Sequence, residues 1–305
     1  TRSCGFPSIG DYMNPDRTEP LRTRAEPAPI AYPRGAERNA RPAAIVFWVT
    51  VASVGLFLLQ NILSSPEALT ARFSVDDSFY YFQMGWQSAQ SGFVTFDGLH
   101  GANGVHFLWF VIVYGLALVS PDKIFLLHAI YLAATALVLV TYGLIWRAGT
   151  LLDDRDRYLT ALFALIWTIV LASKSHQMFV GMESTLHMTA LWGCFVAYLG
   201  LMAAIDGSER ARSRAFLLFS ISLVLIAWAR FDSALFSAGL FIWALHQYWI
   251  NNRDNNERFI KFIFPSILII GVGASIQFSF YLVTAGTIMP ISGLIKTAAP
   301  HETTA

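Results

Sequence analysis

Two adjacent carboxylates, Asp76 and Asp77, follow the first long apolar run of this 305-residue chain. Paired acids suit general-base chemistry. One carboxylate takes a proton from an attacking hydroxyl, while the other positions it or holds a divalent cation that screens a phosphate. The structural alternative is capping. Aspartates at the start of a helix DDSFYYFQMGW accept backbone N–H bonds and complement the helix dipole. The two roles are compatible, because a capped helix end also holds the acids rigidly.

Further polar groups follow in short clusters. The run FDGLHGANGVHFLW carries turn-forming glycines and an Asn-Gly pair. It reads either as a tight loop entering an interfacial helix, with Trp109 at headgroup depth, or as a loop bringing His100, Asn103 and His106 to a polar ligand. Glu183, in VGMESTLH, is an acid in the first turn of the next helix, or else a hydrogen-bonding partner for a sugar hydroxyl or a cation. Arg230 and Asp232 share a very short turn, where they form either a solvated ion pair or a phosphate fork. Lys296, beyond the last apolar run, is either a snorkelling interfacial lysine or, with Arg230, a partner for a lipid phosphate. Tyr80, Tyr81, Phe82, Trp86 and Trp109 read mainly as membrane anchors. The chain has no P-loop, HExxH, GxSxG or CxxC pattern, so a soluble nucleotide donor is not suggested.

These groups are carried by elements made for lipid. Hydrophobic residues make up 55% of the chain against 13% charged, which is far from the composition of a soluble domain. The formal net charge of +1 points to neither nucleic acid nor an acidic partner. Cys4 and Cys194 imply neither a disulfide framework nor a metal site. Residues 1–42 read as a disordered cytoplasmic tail, and 298–305 as the polar end of a truncated chain, with Met13 a candidate start. The intervening 43–297 reads as an all-α, polytopic membrane bundle. About seven spans are expected, near 43–63, 124–146, 158–173, 185–205, 215–230, 233–250 and 262–283, plus an interfacial or re-entrant helix over 105–120.

Charge decides how 105–120 is read. If it does not cross, sixteen of the 21 Lys and Arg fall on the N-terminal, inside face and five outside; if it crosses, the split is eleven to ten. The positive-inside rule favours the first arrangement. In that arrangement the acidic pair, the GMES turn, the ARFDS turn and the MPISGLIK segment all lie on the outer face, as parts of one site would.

The order of these motifs resembles the GT-C superfamily of integral-membrane glycosyltransferases, including protein O-mannosyltransferase-like and arabinosyltransferase-like enzymes. The resemblance covers residues 43–297. It rests on the acidic pair followed by YY, then GFVTFDG, ANG, HFLW, GMES, ARFDS and PISGLIK, with Phe107 and Phe231 standing where the pattern often has proline. It implies a polyprenyl-phosphate sugar donor, a glycan, lipid or protein acceptor, and a bacterial plasma-membrane enzyme of cell-envelope and cell-wall biogenesis with an extracytoplasmic site. Asp76 or Asp77 would be the base, and transfer would invert the anomeric centre. Asn103, His106, Glu183, Arg230, Asp232 and Lys296 would bind substrate. Asp77 and Glu183 are the candidate ligands if a divalent cation, Mg or Mn, takes part. A transporter or flippase for a lipid-linked or polar substrate is the rival reading. It needs ionisable groups deep inside spans, and few are present: His187, in the span 185–205, is among the best candidates, and His128 sits near an end.

Overall fold

The structure, a computed structural model, describes residues 35–73, 76–152, 157–173, 182–205, 207–251 and 256–288. Lys296 and the whole MPISGLIK segment, 289–296, lie outside them. The described chain is helical, and its one β-bridge, Thr95 with Gly101, sits in a loop. The helices are α1 (Gly35–Ile62), α2 (Pro66–Phe73), α3 (Asp76–Ser91), α4 (Phe107–Val119), α5 (Lys123–Leu152), α6 (Arg157–Ser173), α7 (Ser184–Ala204), α8 (Glu209–Ala229), α9 (Ala234–Asn251) and α10 (Asn256–Ala285), with a 3-10 turn at Phe231–Ser233 between α8 and α9.

Among the described residues, five helices are long and apolar enough to cross a membrane: Arg41–Ile62, α5, α7, α8 and Ile263–Ala285. The span near 158–173 and the 105–120 segment appear as shorter apolar helices, and α9 covers the sixth expected span, 233–250. Helix α1 begins at Gly35 and continues through Pro42, ahead of the apolar run. Hydropathy marks the apolar stretch and not the helix that contains it. Many large apolar side chains point outwards, Leu235 at 86% and Val283 at 85% exposure among them, which suits a lipid-facing surface and not a water-facing one.

Polar contacts between helices are few and specific. Thr141 and Thr189 hydroxyls meet at 2.9 Å between α5 and α7, and the Trp228 indole donates to the Gly273 carbonyl at 2.9 Å between α8 and α10. Aromatic packing joins the middle of α1 to the last part of α5, with Phe47 and Trp146 rings 4.9 Å apart. Phe216, early in α8, packs on Tyr248, late in α9.

The bundle therefore has two chemically distinct ends. Arg147 of α5 and Arg214 of α8 line one cavity at the first end. The start of α4, the start of α7, the end of α8 and the end of α10 meet at the second. Helix α4 stays at this second end. His106 at its beginning contacts Glu183, and Lys123, just after it, donates to Gln83 of α3 at 3.4 Å. The helix between them is only thirteen residues long, and both its flanks touch residues of or beside α3 and Glu183.

The connection from α3 to α4 is pinned at both sides. Asp97 accepts from the Leu99 and His100 amides at 2.8 Å each, and its second oxygen meets the His100 ring at 2.7 Å. These donors hold its carboxyl well below the ordinary value. Further along, the Gly101 backbone lies against α10 so closely that a Cβ there would overlap the Thr284 carbonyl oxygen. Since the obstacle is backbone and not a flexible side chain, Gly101→Val should destabilise the protein by about 1–3 kcal/mol. Thermal unfolding of the detergent-solubilised chain would show a lowered midpoint; an unchanged midpoint would mean that the loop is not held against α10.

Candidate functional site

The centre of the second end is a buried carboxylate. Glu183 is 3% exposed and immediately precedes α7. A carboxylate in such a place is costly unless it is paired and hydrogen-bonded. The chain surrounds it from three other segments. The Tyr81 hydroxyl of α3 donates to Oε2 at 3.0 Å. Nε2 of His106, at the start of α4, lies 3.4 Å from Oε1. Nη1 of Arg230, just past α8, lies 3.7 Å from the same oxygen. Tyr81 also accepts the His106 backbone N–H at 3.2 Å. One phenol thus ties the first turn of α4 to the first turn of α7. Burial and then the Glu183 charge push the Tyr81 phenol well above its ordinary value, so it remains a donor.

Arg230 bridges two acids. Its Nε and Nη2 donate to the two oxygens of Asp232 at 3.1 and 2.9 Å, a bidentate fork, while Nη1 faces Glu183. The fork lowers the Asp232 carboxyl and raises the arginine. Next to it, the Ser233 hydroxyl and His187 Nε2 are 2.9 Å apart. His187, expected deep in a span, lies in the first turn of α7 beside this cluster.

Of the residues selected from sequence, His106, Glu183, Arg230 and Asp232 come together here. Asn103 serves a neighbouring purpose. It is fully buried, and its amide donates to the Tyr281 carbonyl at 3.3 Å and the Thr287 hydroxyl at 3.1 Å, docking the loop on the end of α10. His100 stays on the surface with Asp97, so the three polar residues of the FDGLHGANGVH run part company. Asp76 and Asp77 open α3, where capping places them, and Asp77 is exposed. Asp77 lines a cavity of about 640 Å³ with Gln83, Lys123, Tyr80, Phe96 and Trp86. Tyr80 stacks on Phe96 at 4.9 Å. That lining does not include Glu183, although α3 contributes to both places, Tyr81 lying one helical turn beyond Asp77.

Two expectations change. Trp109 is fully buried inside the protein and not an interfacial anchor, and Tyr81 is a hydrogen-bonding member of the site. Composition alone does not separate an aromatic that faces lipid from one that faces a neighbouring helix. Asp77 and Glu183, the candidate cation ligands, have different surroundings. They line different places, Arg230 occupies one side of Glu183, and among the described residues no three His, Cys, Asp or Glu side chains converge as metal ligands would. Phe107 and Phe231 both pack on α10, Phe107 at 4.9 Å from Phe280 and Phe231 at 6.1 Å from Tyr281. These rings help to clamp α10 beside the site.

Comparison with known proteins adds no name: no family model, no curated protein and no solved structure matches the chain.

Two outcomes follow from the geometry. Tyr81→Phe removes the bridge between the His106 amide and Glu183 and should cost about 1–3 kcal/mol in thermal unfolding, because two buried polar groups lose a partner. A fully stable variant would show that the phenol does not organise the site. The second outcome concerns pH. Asp232 has a folded pKa below its ordinary 3.8, so its pair with Arg230 stabilises the fold above that value and the contribution disappears as pH falls through the lowered one. The destabilisation caused by Asp232→Asn, at most about 1 kcal/mol for so exposed a pair, should therefore be equal at about pH 7 and about pH 5 and shrink only in stronger acid. A difference already reduced at about pH 5 would contradict the pairing.

Proposed function

We propose that this chain is a GT-C-like membrane glycosyltransferase that moves a sugar from a polyprenyl-phosphate donor to an acceptor hydroxyl. The observation that carries the reading is the buried Glu183 carboxylate faced by Arg230, His106 and Tyr81. These groups come from four separated stretches, each belonging to the motif order that resembles the superfamily. A convergent polar cluster at one end of an apolar bundle is what a lipid-linked donor needs. Its chain stays in the bilayer while its phosphate and sugar reach a polar mouth.

Roles follow from chemistry. Asp76 or Asp77 accepts the proton of the acceptor hydroxyl, whose oxygen attacks the anomeric carbon. The bond from that carbon to the phosphate oxygen breaks, and the lipid phosphate leaves with the electron pair. Attack opposite the leaving group inverts the centre. Arg230, with Lys296, balances the charge growing on the phosphate. Since the Arg230 fork is occupied by Asp232, a phosphate reaches it by exchanging with that carboxylate or through Nη1. Glu183 and Asp232 hold sugar hydroxyls, and Tyr81 and His106 keep Glu183 in place. The aromatic cavity beside Asp77 offers room for the acceptor. By the positive-inside rule the end with Arg147 and Arg214 faces the cytoplasm, which puts Glu183 outside. The site also favours this reading over a transporter, because its ionisable groups lie at helix ends and not at mid-span.

The test is sugar transfer by the purified full chain in lipid, offered a panel of radiolabelled polyprenyl-phosphate sugars. Asp76→Asn or Asp77→Asn should lower kcat by about 10²–10⁴-fold, according to which is the base. Glu183→Gln should mainly raise KM for the donor. Full transfer by both aspartate variants would remove the base from the scheme. Movement of labelled substrate across the bilayer without transfer would establish the transporter instead.

A further inference from the structure

A second cavity begins near this site, runs away from it and is built quite differently. It has a volume of about 860 Å³ between α4, α5, α7 and α8, and its lining runs from Leu108 and Leu186 at the Glu183 end to Arg147 and Arg214 at the other. Between Leu186 and Ala204 the groove follows α7 for eighteen residues, about 27 Å at 1.5 Å per residue, close to the hydrocarbon thickness of a bilayer. Its floor is kept low by Gly193, Ala197 and Gly200. A Cβ added at Gly200 would meet nothing within 4 Å, so this glycine is not required by helix contact. A helix-interior glycine costs about 1 kcal/mol relative to alanine, and here the space it leaves is the groove itself.

The two arginines give the groove a polarity. They come from different helices, both are exposed, and among the described residues neither pairs with a carboxylate. The Arg147 guanidinium makes only a long contact with its own helix, 3.4 Å to Thr150. Trp146 and Trp48, 5.6 Å apart beside Arg147, are residue types that settle at headgroup depth. An apolar groove of this length, closed at one end by two arginines that pair with no carboxylate among the described residues, complements an amphiphile with a long chain and an anionic head.

We infer that this groove is a binding site for an anionic phospholipid, with its phosphodiester headgroup between Arg147 and Arg214 and an acyl chain laid along α7. The bound lipid would wedge the gap between α5 and α8 and brace the helix whose first turn carries Glu183 and His187. This places the lipid at the end of the bundle opposite the Glu183 site, in the leaflet on the arginine side.

The experiment is native mass spectrometry of the detergent-solubilised full chain titrated with phosphatidylglycerol or phosphatidylcholine. Wild type should retain phosphatidylglycerol preferentially. Arg147→Ala with Arg214→Ala should weaken that retention by roughly thirtyfold, from the usual contribution of two cations near a lipid headgroup, and leave phosphatidylcholine unchanged. The double lysine variant should keep the preference. Ala197→Phe, which fills the groove without touching a charge, should weaken both lipids; a far-ultraviolet circular dichroism spectrum matching wild type confirms that each variant is folded. Equal retention of the two lipids by wild type would overturn the inference, as would phosphatidylglycerol retention that ignores the arginines. Displacement of phosphatidylglycerol by a much smaller amount of polyprenyl phosphate would assign the groove to a prenyl chain and overturn it as well.

Discussion

Burying one carboxylate constrains much of the structure. Glu183 has almost no access to solvent, and its charge is tolerated only because a phenol, an imidazole and a guanidinium are brought to it from α3, α4 and α8. Each partner has a second attachment. Tyr81 holds the His106 amide, Arg230 holds Asp232, and the loop before His106 is docked on α10 through Asn103. The α4 entry, the α7 entry, the α8–α9 turn and the end of α10 are thereby fixed relative to one another. In an apolar bundle, where helices gain little from hydrophobic association, such polar links supply geometric specificity that packing alone gives weakly.

The same arrangement separates the bundle into two ends. The Glu183 end is a polar cluster in which Glu183 and Asp232 are paired with Arg230. The opposite end offers arginines without described acidic partners beside a long apolar groove. A chain with a net charge of only +1 thus carries a marked internal asymmetry. That asymmetry is what the positive-inside rule detects, and it connects the topology to the placement of the site.

Much of the architecture was legible in the amino-acid order. Long apolar runs give helices because the backbone has no other way to satisfy its polar groups in lipid, and each expected span coincides with a helix. The 105–120 segment, which charge bookkeeping kept on one side, forms a short apolar helix, Phe107–Val119, followed by Lys123, which reaches back to Gln83 of α3. Four of the polar residues singled out, His106, Glu183, Arg230 and Asp232, meet in space because each sits at a helix terminus on the same end. Tyr81 and His187 were harder to place. An aromatic or a histidine in an apolar segment looks the same in sequence whether it faces lipid or a buried acid, and only the rotation of α3 and α7 decides. Their spacing held one usable signal: His187 follows Glu183 by four residues, which places the two on one helical face. Asp76 and Asp77 begin a helix as their type suggests, yet Asp77 opens onto an aromatic cavity beside the Glu183 cluster, a distinction that spacing does not encode.

The central claim is that the Glu183 end receives a lipid-linked sugar. The most direct measurement is photocrosslinking of the full chain in membranes with a polyprenyl-phosphate sugar carrying a photoreactive group on the sugar, followed by peptide mapping. The account predicts crosslinks at the start of α4, the start of α7 and the 231–233 turn, all competed by unlabelled donor. Crosslinks confined to the groove beside Arg147 and Arg214, or none that donor competes, would contradict it.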